Sequence, residues 1–273
     1  MASPASAARP RTWQMMKTAA VLDRITSVLY DFAVPVTVRF FRTGGGTEPA
    51  REYLRSLEKI DRQTCGAMLR AVQDYGLDAP GVEKRQLEGK LWELKPDPHR
   101  LMYLMVAGPT MVVVHGCKKQ GGRTRKADLD VARSRMKQVL EEQRQRKQKQ
   151  ENDREADVAI GRRNKHIGSS LEDWLKEESA KDPSFAAGLD AHFNKYRLAQ
   201  ELRVMREKAG LSQKQLAERV RTKQPSIARL EGARAWPKLD LLQRVARALG
   251  AEMIISFRRP HVRRRRTRQR QTA

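Results

Sequence analysis

Two sets of side chains in this chain could do chemistry. The first is basic: Lys90, Lys95, Arg100, His115, Lys118 and Lys119, with no carboxylate cluster beside them for a metal. His115 is the one suited to moving a proton, because imidazole titrates near neutrality. The second set is Gln224, Ser226 and Arg229, whose groups can read base edges: Gln pairs bidentately with adenine and Arg with guanine. The balance of the whole chain suits both sets. Its 273 residues carry 56 Lys+Arg against 32 Asp+Glu, a formal net charge of +24. Such an excess points to a polyanionic partner, most simply nucleic acid, held by phosphate contacts and counterion release.

The second set needs two short helices crossed by a tight turn, and residues 211–231 have that spacing. Ser212 can cap the first free amides of a helix, with Gln213 at its mouth. Leu216, Ala217 and Val220 form one apolar face, and Ile227 and Leu230 the next. The second helix begins near Gln224, after Lys223, with Pro225 in its first turn. Gln224, Ser226 and Arg229 then lie on its outer side. Residues 239–250 supply a following helix, and residues 251–257 read as a closing strand.

The first set needs neighbouring strands. Residues 34–40 alternate apolar and polar and read as a strand. Thr47, Glu48 and Pro49 form a helix start, with Leu54, Leu57 and Ile60 on one face. A second helix from Asp61 stops at Gly76. Strands follow around 91–94, 100–106 and 111–117, the last two joined at Gly108-Pro109. A helix runs from Lys126 through Leu140. Lys90 and Lys95 thus flank one strand, Arg100 starts the next, and His115, Lys118 and Lys119 end the last. If those strands are neighbours, all six converge on one sheet face or its edge. The β-α-α-β-β-β-α order is that of a small α+β domain.

Between Glu141 and His166 the apolar residues nearly vanish, so this stretch is a solvated helix extension or a flexible linker. As a coil its ends lie roughly 28 Å apart, close enough for the flanking domains to touch. Ser169 or Ser170 opens a further helix with Leu171, Trp174 and Leu175. Residues 1–33 are an extension with a weak helical pattern from Trp13 to Phe32. Residues 258–273 carry eight arginines and are expected to be disordered. The two cysteines, Cys65 and Cys117, stand in no metal or redox spacing, and no apolar run approaches the ~20 residues of a membrane span. A reducing cytoplasm is the expected setting, without membrane contact.

Residues 211–231 closely resemble the helix-turn-helix of the Cro/XRE repressor family, apart from Arg221 at a turn position usually held by Gly. The segments PAREYLRSL, QLEGKLWELK, HRLMY, VVVHGCKKQ and ADLDVARSRMKQ, between Pro49 and Gln138, resemble the RelE/ParE toxin superfamily, most closely its HigB-like branch. The part from Ile167 on is similar to the partner HigA-type antitoxin. The resemblance implies a RelE-like antiparallel sheet with helices packed on it (34–140). A charged linker (141–166) then leads to an all-α region (167–257) whose helix-turn-helix occupies 195–257.

The resemblance also implies function: a metal-independent endoribonuclease that cuts mRNA on the ribosome, fused to an inhibitor that binds operator DNA, with a homodimer expected and no cofactor. The 2′-hydroxyl attacks the adjacent phosphate, leaving a 2′,3′-cyclic phosphate end. This needs a base, an acid and cations for the developing charge. His115, Lys95, Arg100, Lys118 and Lys119 are then the catalytic candidates, and Lys84, Arg85, Lys90 and Arg123 the RNA-binding ones. Ser212, Gln213, Lys223, Gln224, Ser226 and Arg229 are the DNA-binding ones. Each has a plainer alternative. His115 can be a core histidine, Lys118 and Lys119 solvated charge, and Arg100 an ion-pair partner of Glu93. Glu93 reads as structural and Trp92 as core. Lys95 stands where the family usually has Arg, keeping the charge but losing the fork. A second function therefore stays open, a DNA-binding regulator with a catalytically degenerate toxin-like domain. A nonspecific binder driven by the arginine tail is weaker, because a tail reads no bases.

Overall fold

The structure is a computed structural model that describes residues 35–119, 124–152, 164–234 and 236–255. The expectations for residues 1–33, for Arg123 and for the tail 258–273 lie outside the described residues.

β1 (Thr37–Phe41) leads through α1 (Pro49–Ser56) and α2 (Lys59–Tyr75) to four strands, β2 (Lys84–Glu88), β3 (Leu91–Leu94), β4 (His99–Val106) and β5 (Thr110–Lys118). α3 (Lys126–Asn152), β6 (Ile167–Ser170), α4 (Leu171–Lys181) and α5 (Pro183–Lys208) follow, and then the short helices α6 (Gln213–Arg219), α7 (Gln224–Glu231) and α8 (Leu239–Ala248). The strands form one sheet in the order β2-β3-β4-β5-β1-β6.

The sheet is mixed, not antiparallel as expected, because β1 pairs in parallel with β5. The physical reason is the crossover: two helices carry the chain from β1 across one face before the meander β2 to β5 begins, so β5 arrives beside β1 in the same direction. One face, with Val38, Phe40, Leu101, Tyr103 and Val113, packs against α1 and α2. The other, with Met102, Leu104, Val112 and Val114, packs against Ala132 and Val139 of α3.

Pro49 stands in the first turn of α1 as expected, but Thr47 does not cap it. Its hydroxyl is 2.8 Å from that of Thr43, and Glu48 takes the cap position without a capping bond. α3 does not stop at Leu140. It continues to Asn152 with the i,i+4 pair Glu142–Arg146, at 3.0 Å, on its solvated part. The closing strand is not formed in its described part: residues 251–255 make no strand, and 256–257 lie outside the described residues.

Two strands were not foreseen. β2 (KRQLE) has one apolar residue in five, and β6 (IGSS) has one in four. Both are edge strands held by backbone pairing. β6 runs antiparallel to β1, with Arg39 opposite Ser170 and Phe41 opposite Ile167. The helix after it starts as the sequence indicates, with a reciprocal capping box between Ser170 and Asp173.

Candidate functional site

Residues directly opposite one another on paired strands share a face. Arg100 lies opposite Cys117, Met102 opposite His115, and His99 opposite Lys118. The basic set is therefore split. Arg100, His115 and Cys117 share the α3 face, whereas His99 and Lys118 face the α1 side.

On the α3 face His115 is part-buried and both its ring nitrogens are engaged. Nε2 is 2.9 Å from Asp128 Oδ1, and Nδ1 is 3.1 Å from an Arg135 guanidinium nitrogen. A guanidinium can only donate, so Nδ1 must accept, and the proton sits on Nε2 and is donated to Asp128. This fixes a neutral tautomer. Arg135 also donates to Val114 O at 2.9 Å and lies over the Phe41 ring. Burial draws its pKa below the ordinary arginine range. Beside His115, burial and then the charges of Asp128 and Glu93 push the Cys117 thiol up to about 11, while Arg100 and Arg125 act against that rise. The ligating atoms of His115, Cys117 and Asp128 lie within 4.8 Å of one another.

Arg100 donates to the His99 carbonyl at 2.6 Å and lies 3.8 Å from Asp97. The buried carboxylate of Glu93 takes Arg85 at 3.0 Å and the Thr124 hydroxyl at 3.1 Å. Arg85 is thus its ion-pair partner, which spends a cation read as RNA-binding on the sheet itself. Lys84 is spent likewise, donating to Asp78 and to Leu77 O. Lys90, Lys118 and Lys119 are exposed, and Lys95 is half-buried just past β3. Trp92 packs on the edge of the first core opposite Tyr103.

The α1 face holds a cluster the sequence reading passed over. The Tyr53 hydroxyl is 2.6 Å from His99 Nδ1, and Asp61 Oδ2 is 3.0 Å from Nε2, off the line of a hydrogen bond. His99 is only 2% exposed. Gly116 makes room for the Tyr53 ring, since a Cβ there would come within 2.2 Å of it. The position is Gly because the ring lies on the strand backbone.

Residues 164–196 are built into this domain. β6 extends the sheet, and Arg39 donates to Gly168 O at 2.7 Å. The buried Glu48 carboxylate accepts from Arg42, Arg51 and both the amide and hydroxyl of Ser169. Burial opposes its charge, but these bonds hold its pKa below the ordinary range. Trp174, Phe185, Leu189, Phe193 and Tyr196 complete the first core over α2. Glu178, also buried, meets Arg62 at 2.7 Å, Arg55 at 3.2 Å and Lys181 at 3.2 Å.

The second candidate site lies on α6 and α7. Ser212 and Gln215 form a capping box at the start of α6. Val220 ends α6, and Arg221 adopts φ 51° while Thr222 N reaches back to Ala217 O at 2.9 Å. The turn therefore takes the left-handed geometry that usually selects Gly, with an arginine in it. Lys223, Gln224 and Arg229 are exposed and Ser226 is half-exposed along the outer side of α7. Gln224 donates to Gln213 at 2.9 Å, and Gln213 donates to Glu231 at 3.0 Å. Glu231 is in turn gripped by Arg206 through bonds of 2.6 and 3.0 Å. This buried pair fixes α7 on α5, and it too went unread in the sequence.

Comparison with known proteins matches each half separately. Residues 52–137 match the family described as phage derived protein Gp49-like, and residues 197–253 match a helix-turn-helix domain. The chain thus carries a Gp49-like domain followed by a helix-turn-helix domain. An uncharacterized HTH-type transcriptional regulator of Methanothermobacter thermautotrophicus is 47% identical over 53 residues, 19% of this chain and 77% of that protein. Through these residues the chain belongs to the helix-turn-helix regulators. Antitoxin HigA1 of Mycobacterium tuberculosis, in strains CDC 1551 / Oshkosh and ATCC 25618 / H37Rv, is 35% identical over 97 residues. That match takes in 36% of this chain, which spans 65% of the length of those relatives. No helix among the described residues is long and apolar enough to cross a membrane.

Proposed function

We propose that the chain is a toxin and its antitoxin in one polypeptide, a sequence-specific DNA-binding autoregulator that carries a latent, metal-independent mRNA endoribonuclease. The observation that supports this most is the joint between the halves. An antitoxin-like segment supplies the sixth strand and Trp174 to a toxin-like sheet, an intramolecular contact that dilution cannot release. Two copies on a two-fold operator in the cytoplasm would place one α7 in each major-groove half-site, with Gln224, Ser226 and Arg229 toward the bases and Lys223 toward phosphate. The nuclease would act on mRNA at the ribosome. His115 would take the 2′ proton, while Arg100, Lys95, Lys118 and Lys119 would hold phosphate. Release of Nδ1 from Arg135 must come first, which is one physical meaning of latency.

A second reading, a regulator whose toxin-like domain has lost catalysis, is favoured by two observations. His115 is locked on both sides, and Lys95 stands where the family usually has Arg. Primer extension separates the two. A chain ending at residue 152 keeps β1 to β5 with α1 to α3 and drops the joint together with the helix-turn-helix. Under the first reading, mRNA from cells making it gains new 5′ ends inside translated codons, and mRNA from cells making the full chain does not. A folded 1–152 chain that yields no such ends establishes the second reading.

A further inference from the structure

Among the described residues, His115, Cys117 and Asp128 bring three metal-ligating atoms of different kinds together from two elements. His115 and Cys117 are two apart on β5, so strand alternation puts them on one face. Asp128, in the first turn of α3, closes over them. The set is one imidazole nitrogen, one thiol sulfur and one carboxylate oxygen, the donor types that bind zinc through three protein ligands and leave a fourth position for water. Their ligating atoms already lie within 4.8 Å of one another. Zinc–ligand bonds of about 2.0–2.3 Å in a tetrahedron need ligand separations of roughly 3.3–3.8 Å, so shifts of about 1 Å suffice. Side-chain exposures of 16% for His115 and 23% for Asp128 leave a path for the ion.

We propose that these three residues form a binding site for one zinc-class divalent ion, which takes on Nε2 the place of the proton that His115 now donates to Asp128 and releases the Cys117 thiol proton to solvent. A thiolate and a carboxylate together neutralise the dication, and a sulfur ligand selects zinc-class ions over magnesium or calcium. Arg100 and Arg125 stabilise the thiolate but repel the ion, which tempers affinity. Once Nε2 ligates, the imidazole proton moves to Nδ1 and faces the Arg135 guanidinium, another donor. Arg135 must then withdraw to Val114 O, which already accepts from it at 2.9 Å. Bound metal would pin α3 to β5 and hold His115 away from any proton transfer. That consequence for catalysis rests on the nuclease reading above, whereas metal binding does not.

The test uses the untagged full chain, stripped with a chelator and titrated with cobalt(II) as a spectroscopic stand-in for zinc. One equivalent is expected to give a near-ultraviolet thiolate-to-cobalt band with strong visible bands of tetrahedral cobalt, and zinc should bleach both. Cys117→Ala should abolish the thiolate band. Asp128→Asn should retain it at an affinity weaker by at least about tenfold, since even residues outside the ligand shell change metal affinity about 10–100-fold. Arg135→Met, which removes the opposing donor, should tighten binding. A circular-dichroism melt accompanies each variant, and His115→Asn serves in place of any that fails to fold. Absence of the thiolate band in the wild-type chain overturns the proposal, and so does a band unchanged by Cys117→Ala. Equal displacement of cobalt by magnesium would overturn the assigned metal class. No RNA enters this measurement, so a negative result together with mRNA cleavage by the 1–152 chain would sink the metal site alone.

Discussion

Replacing Trp174 by alanine tests whether the two halves share one core. Trp174 is fully buried, meets Phe40 edge-on at 6.2 Å between ring centroids and Phe185 at 5.9 Å, and packs on Gly66. Loss of a buried Trp or Phe to Ala costs about 3–5 kcal/mol, more where the surroundings cannot collapse. The site is tight: a Cβ at Gly66 would lie 2.9 Å from Leu189 and 3.2 Å from the Trp174 ring. An opposing effect comes from the indole Nε1, which is buried without a hydrogen-bond partner among the described residues. An unsatisfied donor costs about 1–3 kcal/mol, and alanine removes it. The expected net loss is about 3 kcal/mol. Trp174→Phe also sheds the orphan N–H but keeps a ring against Phe40 and Phe185, so it should stay within about 1 kcal/mol of the wild type. Urea unfolding followed by far-ultraviolet circular dichroism measures both; tryptophan fluorescence would mix in Trp13, Trp92 and Trp236. An alanine variant within about 1 kcal/mol of wild type would refute the shared core. Equal losses for the alanine and phenylalanine variants would refute the role given to the ring against Phe40 and Phe185.

Three further outcomes follow. Burial of Glu178 opposes its charge, yet the bonds from Lys181 and Arg55, with the charge of Arg62, leave its pKa below the ordinary 4.5. The stabilisation it gives is therefore full above the unfolded carboxyl range and lost as pH falls from there through its lowered folded-state pKa. The urea midpoint should drop below about pH 4.5 less steeply in Glu178→Gln, which should itself cost about 1–3 kcal/mol at neutral pH. Arg221→Gly should stabilise the helix-turn-helix by about 0.5–1 kcal/mol, because relief of left-handed strain outweighs the entropy glycine adds to the unfolded chain. A lower melting temperature would contradict the turn geometry. Gln224→Ala with Arg229→Ala should cost about 1–3 kcal/mol per lost base contact on the protein's own promoter, and an unchanged footprint would refute the role of α7.

What could be read from the sequence was local. The Ser170 and Ser212 capping boxes, Pro49 and Pro225 in first turns, and Gly108 (φ 74°) in the hairpin each rest on a few adjacent residues. β2 and β6 could not be read, because KRQLE and IGSS carry no apolar alternation and gain their stability from distant partners. The candidate site followed the same rule. Lys95, Arg100 and His115 were recognisable by type, but the split of the basic set between two faces depends on register, which a shift between Met102 and Tyr103 sets. Tyr53, His99 and Asp61 come from α1, β4 and α2, and Arg206 meets Glu231 across 25 residues of chain. Only the Cys117 placement left a signal that was available and unused, two residues from His115 on a strand.

The joint between the halves also changes what the helix-turn-helix can feel. α5 runs unbroken from Pro183 to Lys208, about 39 Å at 1.5 Å per residue. Its first part lays Phe185, Leu189, Phe193 and Tyr196 on the sheet domain, and its last turns supply Leu202 and Arg206 to the helix-turn-helix. The loop after α2 touches both α5 and the C-terminal end of α7. Arg203 donates to Asp78 O at 3.2 Å, Arg234 lies 3.5 Å from Glu83, and a Cβ at Gly81 would come within 2.8 Å of Ala233. The C-terminal end of α7 is therefore held twice, by Arg206 of α5 on Glu231 and by Gly81 of the sheet domain against Ala233. A flexible tether would make the two halves independent binders at high local concentration. A continuous helix with a second contact instead makes the orientation of α7 a property of the sheet domain, so under the proposed function a perturbation at Trp174 or Gly81 should change DNA binding without touching Gln224, Ser226 or Arg229.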